Sequence, residues 1–130
     1  MLLGLGLDLA RVDRIRAAWE RHGTRFLDRV FTPEEVRYCL ARPRPAHALA
    51  LRFAAKEAFA KATGLGLRGL SWREIGVVSD ARGKPSLALT GRAQTWARDH
   101  GVTGVHLSLT DDGDYAAAVV VLEGEPGQGA

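Results

Sequence analysis

Lys56, Glu57 and Lys61 fall within one short run, Phe53-Ala54-Ala55-Lys56-Glu57-Ala58-Phe59-Ala60-Lys61-Ala62. Elsewhere the chain carries its positive charge almost wholly as arginine. Of 18 basic residues only these two and Lys84, in a Gly83-Lys84-Pro85 turn, are lysine. A lysine ammonium is a compact point charge on a flexible stem, suited to meeting a phosphate or moving a proton. Glu57 and Lys61 are four apart with the glutamate first, the favourable order on a helix, and Arg52 and Lys56 share that spacing. An ordinary solvated face gives the same rows, here beside a core stripe of Leu51, Ala55, Ala58, Phe59 and Ala62. Three positive groups to one carboxylate nevertheless describe a face made for an anion. The carboxylate has a use there if a hard divalent cation bridges it to phosphate oxygens. Asp8, after an apolar strand and before a helix, is either an N-cap or a second ligand. Two carboxylates with waters and a substrate phosphate are a common Mg²⁺ arrangement.

These residues need elements to hold them. Leu2 to Leu7 reads as a buried strand ending at Asp8. Val12, Ile15 and Trp19 recur at helical spacing up to Gly23. Thr32-Pro33-Glu34-Glu35 is a capping box with proline at the first helical position, predicting a helix from Pro33 to about Ala41. The longest helical stretch runs from Ala46 to Thr63 and is closed by Gly64. Two hairpins follow, Ile75–Val78 with Leu87–Leu89 and Val105–Thr110 with Tyr115–Leu122. Between them Thr90 is placed to cap a helix with core face Ala93, Trp96 and Ala97, stopped by Gly101. This order predicts an α+β domain with a mostly antiparallel sheet and helices packed on one side. One domain is expected over residues 1–123, with 124–130 as a flexible tail. His106, Ser108 and Thr110 alternate with apolar residues, so they share one strand face, turned either to solvent or to a cleft. Gly64-Leu65-Gly66-Leu67-Arg68-Gly69 has the dinucleotide-loop spacing but follows a helix instead of a strand, so it is a helix stop and loop.

Composition limits the classes. At 130 residues, 46% hydrophobic and 25% charged, the chain is an ordinary globular domain. A single cysteine, Cys39, excludes an intrachain disulfide and is expected to pack as a small hydrophobe. No signal segment and no apolar run long enough to span a bilayer are evident, which predicts a cytoplasmic protein without a membrane partner. The net charge of +3 suits an acidic partner but is too mild to argue for nucleic acid. The surplus is local: residues 11–29 hold six arginines against Asp13, Glu20 and Asp28, and that excess of three equals the whole chain's.

Gly4-x-Gly6-x-Asp8-x5-Arg14-Ile15, Arg52-Phe53-x2-Lys56-Glu57-Ala58-x2-Lys61-Ala62, Gly83-Lys84-Pro85 and His106-x-Ser108-x-Thr110 together closely resemble holo-acyl-carrier-protein synthases, members of the 4′-phosphopantetheinyl transferase superfamily. The order of motifs matches and the likeness covers residues 1–123. Asp111 departs from the pattern, standing where relatives often carry a second histidine.

The resemblance implies the superfamily's fold. It also implies transfer of phosphopantetheine from coenzyme A to a serine of apo acyl carrier protein, releasing adenosine 3′,5′-bisphosphate, in fatty acid biosynthesis. On that basis Asp8 and Glu57 are expected to hold Mg²⁺, with Lys61 at the reacting phosphates as the third catalytic residue. Coenzyme A contacts are implied at Arg52, Lys56, Lys61, Gly64, Pro85, His106 and Ser108. The group that takes the serine proton stays open between Glu57 and metal-held water. Carrier docking is implied for the first helix, where Arg14, Arg21 and Arg25 form one stripe if helical register continues through Gly23. Short family members are trimers with sites between subunits, so a homotrimer is expected.

Two other classes compete. A basic RNA- or ribosome-binding module uses the arginines but leaves Asp8, Glu57 and the lysines idle, and the chain lacks aromatics interleaved with basic residues. A coenzyme A-dependent acyltransferase would act on the thioester and need no metal.

Overall fold

The computed structural model describes residues 1–125. Strand β1 (Leu2–Arg11) leads into α1 (Val12–His22), α2 (Thr24–Val30), α3 (Pro33–Leu40) and α4 (Pro45–Thr63). A 3₁₀ turn at Trp72–Glu74 precedes β2 (Ile75–Ser79), β3 (Pro85–Leu89), α5 (Gly91–Asp99), β4 (Val102–Asp112) and β5 (Tyr115–Gly124). The α+β class and the antiparallel pairing follow the expectation, with one refinement. The strands form two sheets, β1-β5-β4 and the separate hairpin β2-β3.

The expected punctuation mostly holds. Thr32 and Glu35 form the reciprocal capping box of α3, and Gly64, left-handed at φ 80°, ends α4. At α5, Thr90 occupies the N-cap without a side-chain bond. Its place is taken by Glu74, whose Oε2 accepts the Arg92 amide. Gly23, at φ 55° and ψ −133°, starts a new helix in a new direction, so Arg14, Arg21 and Arg25 do not share one continuous stripe. β5 continues through Gly124, where an added Cβ would lie 1.9 Å from the Gly101 carbonyl oxygen. Gly124 is therefore packed and not part of a frayed tail; residues 126–130 of that expected tail lie outside the described residues.

β1 differs most from its sequence reading. It runs three residues past Asp8, because Leu9, Ala10 and Arg11 continue the ladder opposite Ala117, Ala116 and Tyr115. Asp8 is thus a mid-strand residue, and Arg11 holds the N-cap of α1. Nor is the strand buried on both faces. Gly4, Gly6, Asp8 and Ala10 face α4, while Leu5, Leu7 and Leu9 on the opposite face are 68%, 64% and 64% exposed. Alternation puts one set on each side of the pleat.

The glycines explain how the strand reaches the helix. A Cβ on Gly6 would sit 1.8 Å from the Ala58 carbonyl oxygen, and one on Gly4 would sit 2.3 Å from that of Ala62. Backbone therefore packs on backbone, which alanines at 54, 55, 58 and 62 on α4 permit. Gly6→Ala is expected to force β1 off α4 and to lower the thermal midpoint by several degrees, as for a core overpacked by about 1–3 kcal/mol. Because Asp8 is two residues away, turnover should fall with it. A Gly6→Ala protein with wild-type melting and turnover would show that the close approach is dispensable.

Candidate active site

The strand and the helix meet at a cleft of about 510 Å³ lined by Asp8, Glu57 and Lys61. Gly-x-Gly-x-Asp delivers Asp8 on the helix-facing side of β1, and the four-residue spacing of Glu57 and Lys61 delivers both on one side of α4. Lys61 Nζ donates to Asp8 Oδ1 at 3.0 Å and to the Leu7 carbonyl oxygen at 3.1 Å. That second bond satisfies an edge carbonyl of β1 and holds the ammonium at the cleft mouth, with the side chain 51% exposed. Burial raises the Glu57 pKa above the ordinary carboxylate range, and the nearby Asp8 charge raises it further against the opposing pull of Lys61. Two negative groups forced together, one of them reluctant to ionise, form a site that gains by taking up positive charge.

Asp8 and Glu57 fit a hard cation. They offer oxygen donors only, on an open cleft, and among the described residues no cluster of three or more metal-binding side chains occurs. A cation held by two carboxylates has room for waters and substrate oxygens, as Mg²⁺ requires. The rest of the cleft divides by chemistry, with Arg11 and Arg14 on one part and Ile15, Ala18, Phe26 and Phe53 forming an apolar wall.

A second hollow lies on the other side of α4, lined by Tyr38, Arg42, Arg44, His47, Arg52 and Asp111 among others. Arg52 is 5% exposed, its guanidinium lies 4.1 Å from the Tyr38 ring centroid, and its Nε has no hydrogen-bond partner. Arg42 stacks on the same ring at 5.1 Å. Tyr38 lies in the last turn of α3 and Arg42 and Arg44 flank Pro43, a segment without the periodicity that marks a site. Asp111, to which the sequence assigned no role, faces the same arginines.

The expected site residues therefore separate. Asp8, Glu57 and Lys61 come together, and Arg14 joins them at the cleft. Arg52 lines the second hollow. Lys56 is corrected outright: it is fully buried, and its ammonium donates to Glu35 Oε1 at 2.7 Å, the Ile75 carbonyl at 2.8 Å and the Trp72 carbonyl at 3.0 Å. All three N–H groups are used, leaving none for coenzyme A. The anion-binding face of three positive groups read from the spacing is accordingly divided, because Lys56 points inward and Arg52 turns to the second hollow. Gly64, Pro85, His106 and Ser108 line neither hollow. His106 and Ser108 lie on the sheet face opposite Asp8, in rows with Leu5–Val121 and Leu7–Val119. His106 Nε2 pairs there with Glu123 Oε1 at 2.9 Å. Arg21 and Arg25 are exposed on either side of Gly23. Cys39 is buried with its pKa pushed up to about 11 by desolvation, an unreactive thiol as expected.

Known proteins resemble the chain along nearly its whole length. A profile of the 4′-phosphopantetheinyl transferase superfamily matches residues 4–120. A holo-[acyl-carrier-protein] synthase of Syntrophotalea carbinolica is 50% identical over 124 residues, 95% of this chain and 97% of that protein. The crystal structure of the synthase from Neisseria meningitidis is 41% identical and superposes with a TM-score of 0.88 over 95% of this chain and 99% of that one. The synthase of Bacillus anthracis, solved in complex with CoA (3′,5′-ADP), is 33% identical with a TM-score of 0.79 over 96% and 99%. A strand-borne aspartate meeting a helical Glu-x3-Lys, in a fold shared with these proteins along nearly its whole length, places the chain in the holo-[acyl-carrier-protein] synthase family of the 4′-phosphopantetheinyl transferase superfamily.

Proposed function

We propose that this enzyme transfers the 4′-phosphopantetheine arm of coenzyme A to a serine hydroxyl of apo acyl carrier protein, for fatty acid biosynthesis. The convergence of Asp8, Glu57 and Lys61 in one open cleft carries this reading. In the reaction the serine oxygen forms a bond to the phosphorus bearing the pantetheine arm. The bond from that phosphorus to the bridging oxygen breaks, and adenosine 3′,5′-bisphosphate leaves. Phosphoryl transfer of this kind depends on positioning and on neutralising charge around the phosphorus. Asp8 and Glu57 would hold Mg²⁺, which supplies charge neutralisation on the pyrophosphate. Lys61, tethered to Asp8 and the Leu7 carbonyl, presents its ammonium to the phosphate oxygens. Glu57 is a carboxylate of this chain placed at the cleft to receive the serine proton, directly or through a water. Arg52, with an unpartnered buried Nε above Tyr38, suits a further phosphate of coenzyme A in the second hollow.

One chain cannot join His106 and Ser108 to the Asp8 cleft, because the sheet lies between them. A second copy seated on the exposed leucine face would bring its own residues to that seam. We therefore favour a trimer of about 42 kDa, three copies of a 14.0 kDa chain in closed symmetry. The single, buried thiol suits a reducing compartment, and we place the enzyme in the cytoplasm; among the described residues no helix is long and apolar enough to cross a membrane.

Incubation with coenzyme A, Mg²⁺ and apo acyl carrier protein, read by intact mass, tests the reaction. The carrier should gain a phosphopantetheine group, and chelation should prevent it. An unmodified carrier, or transfer of an acyl group without metal, would overturn the reading. Carrier docking has its own expected outcome. Arg21→Glu with Arg25→Glu should raise the KM for an acidic carrier protein and flatten its salt dependence, because exposed charge mainly speeds encounter and is screened over about 8 Å. The coenzyme A dissociation constant, from calorimetry, should stay unchanged; equal weakening of both substrates would remove the docking role.

A further inference from the structure

Behind the cleft lies an ion pair that the reaction does not use. Glu35 Oε1 accepts from Lys56 and from the Thr32 amide at 2.9 Å, and its Oε2 accepts from the Val77 amide at 2.8 Å. Lys56 in turn binds the Trp72 and Ile75 carbonyls. Five directional bonds thus fasten the first turn of α3, the 3₁₀ turn and the start of β2 to the middle of α4. Replacing a buried ion pair by apolar side chains of similar volume is often neutral or stabilising. What they would not supply is a fixed direction.

Two aromatic relays lead from the pair to the cleft. The ring of Trp72, whose carbonyl Lys56 holds, stacks on Phe53 at 4.9 Å and 25°. Lys56 Nζ lies 5.7 Å from the Phe31 centroid, and Phe31 meets Phe26 edge-on at 5.8 Å and 80°. Phe26 and Phe53 are the two aromatic residues lining the cleft, and Phe53 precedes Glu57 by one turn on the same face of α4. We infer that Lys56 is a positioning residue: with Glu35 it sets the aromatic wall, Phe26 and Phe53, against which the substrate is aligned beside Glu57. This rests on the Asp8–Glu57–Lys61 cleft being the place of transfer.

Lys56→Met alone would strand the Glu35 carboxylate in the core, so the informative variant is Lys56→Met with Glu35→Gln, which removes both charges. The protein contains four phenylalanines, and labelling with 4-fluorophenylalanine gives each a ¹⁹F resonance, assigned by single Phe→Leu changes. In the double variant the Phe26 and Phe53 resonances should shift or broaden by more than that of Phe59, which lines no part of the cleft. The kcat should fall at least about tenfold, the scale of a small misalignment of reacting groups, with the coenzyme A dissociation constant nearly unchanged. Trp72→Leu keeps the ion pair and removes only the ring behind Phe53; it should reproduce the loss in kcat. Unmoved Phe26 and Phe53 signals, or wild-type kcat in Trp72→Leu, would overturn the inference even if the double variant did not fold. If the wild-type protein itself transfers nothing, the reading of the cleft fails, while the ¹⁹F spectra still report whether Lys56 sets the wall.

Discussion

Glu57→Gln should lower turnover by at least about 10²–10³-fold, the scale of losing one preorganised electrostatic group, and should make the metal-free protein more stable at neutral pH. The stability effect follows from the raised pKa. Burial and the neighbouring Asp8 raise the Glu57 pKa in the folded state above its unfolded value. A folded state with the higher proton affinity is favoured while the group is protonated, and that advantage is lost as pH rises through the folded pKa. At neutral pH the folded protein therefore carries an ionised carboxylate against the preference of its surroundings. Glutamine keeps the shape and removes that charge. In chelator-treated samples the thermal midpoint of the variant should exceed wild type at pH 7, and the gap should close at acid pH where wild-type Glu57 is protonated. Added Mg²⁺ should stabilise wild type far more than the variant, since ligand binding to the native state raises stability by mass action. A variant that melts at or below wild type across this range would show that the site holds no electrostatic strain, and one that turns over normally would remove Glu57 from the chemistry.

The same residue shows what the sequence could and could not disclose. Glu57 and Lys61 are legible because a four-residue spacing fixes their side of a helix, and the Gly-x-Gly-x-Asp run marks Asp8. The reason for those glycines was not legible, since it is the carbonyls of Ala58 and Ala62, more than fifty residues away, that demand them. Lys56 misled for a related reason. α4 is buried almost all round, with 12 of its 19 residues buried, so it has no polar stripe to separate an inward lysine from an outward one. Its partner, Glu35, is 21 residues distant and already explained locally as a capping residue. Gly23 could be recognised as a helix stop, but its dihedral angles, and hence the divergence of Arg25 from Arg14 and Arg21, depend on how α2 packs. Periodicity reports faces within an element. It does not report which elements meet.

Leu7→Arg should dissolve the proposed trimer and abolish transfer while leaving each chain folded. On β1 the side chain of Leu7 points away from α4 into solvent, between Leu5 and Leu9 and beside Val119 of β5. A row of three leucines on one strand is an uncommon apolar patch for a protein surface. Seating such a face against another copy gains about 1.5–3 kcal/mol per leucine fully buried, whereas an arginine there would have to be desolvated without a partner. The change spares the cleft locally, because Lys61 binds the Leu7 backbone carbonyl and not its side chain. Light scattering should find the variant as a single 14.0 kDa chain, with an unchanged circular dichroism spectrum. If the Asp8 cleft of one copy works with His106 and Ser108 of its neighbour, turnover should disappear with the assembly. Subunit complementation then separates shared sites from a merely structural trimer. Glu57→Gln and a His106→Ala, Ser108→Ala variant, each inactive alone, should regain about a quarter of wild-type activity when mixed and reassembled one to one, since random exchange in a closed ring gives each site both intact halves in about one case in four. Full activity of the Leu7→Arg monomer, or no recovery on mixing, would mean that every chain carries a complete site of its own.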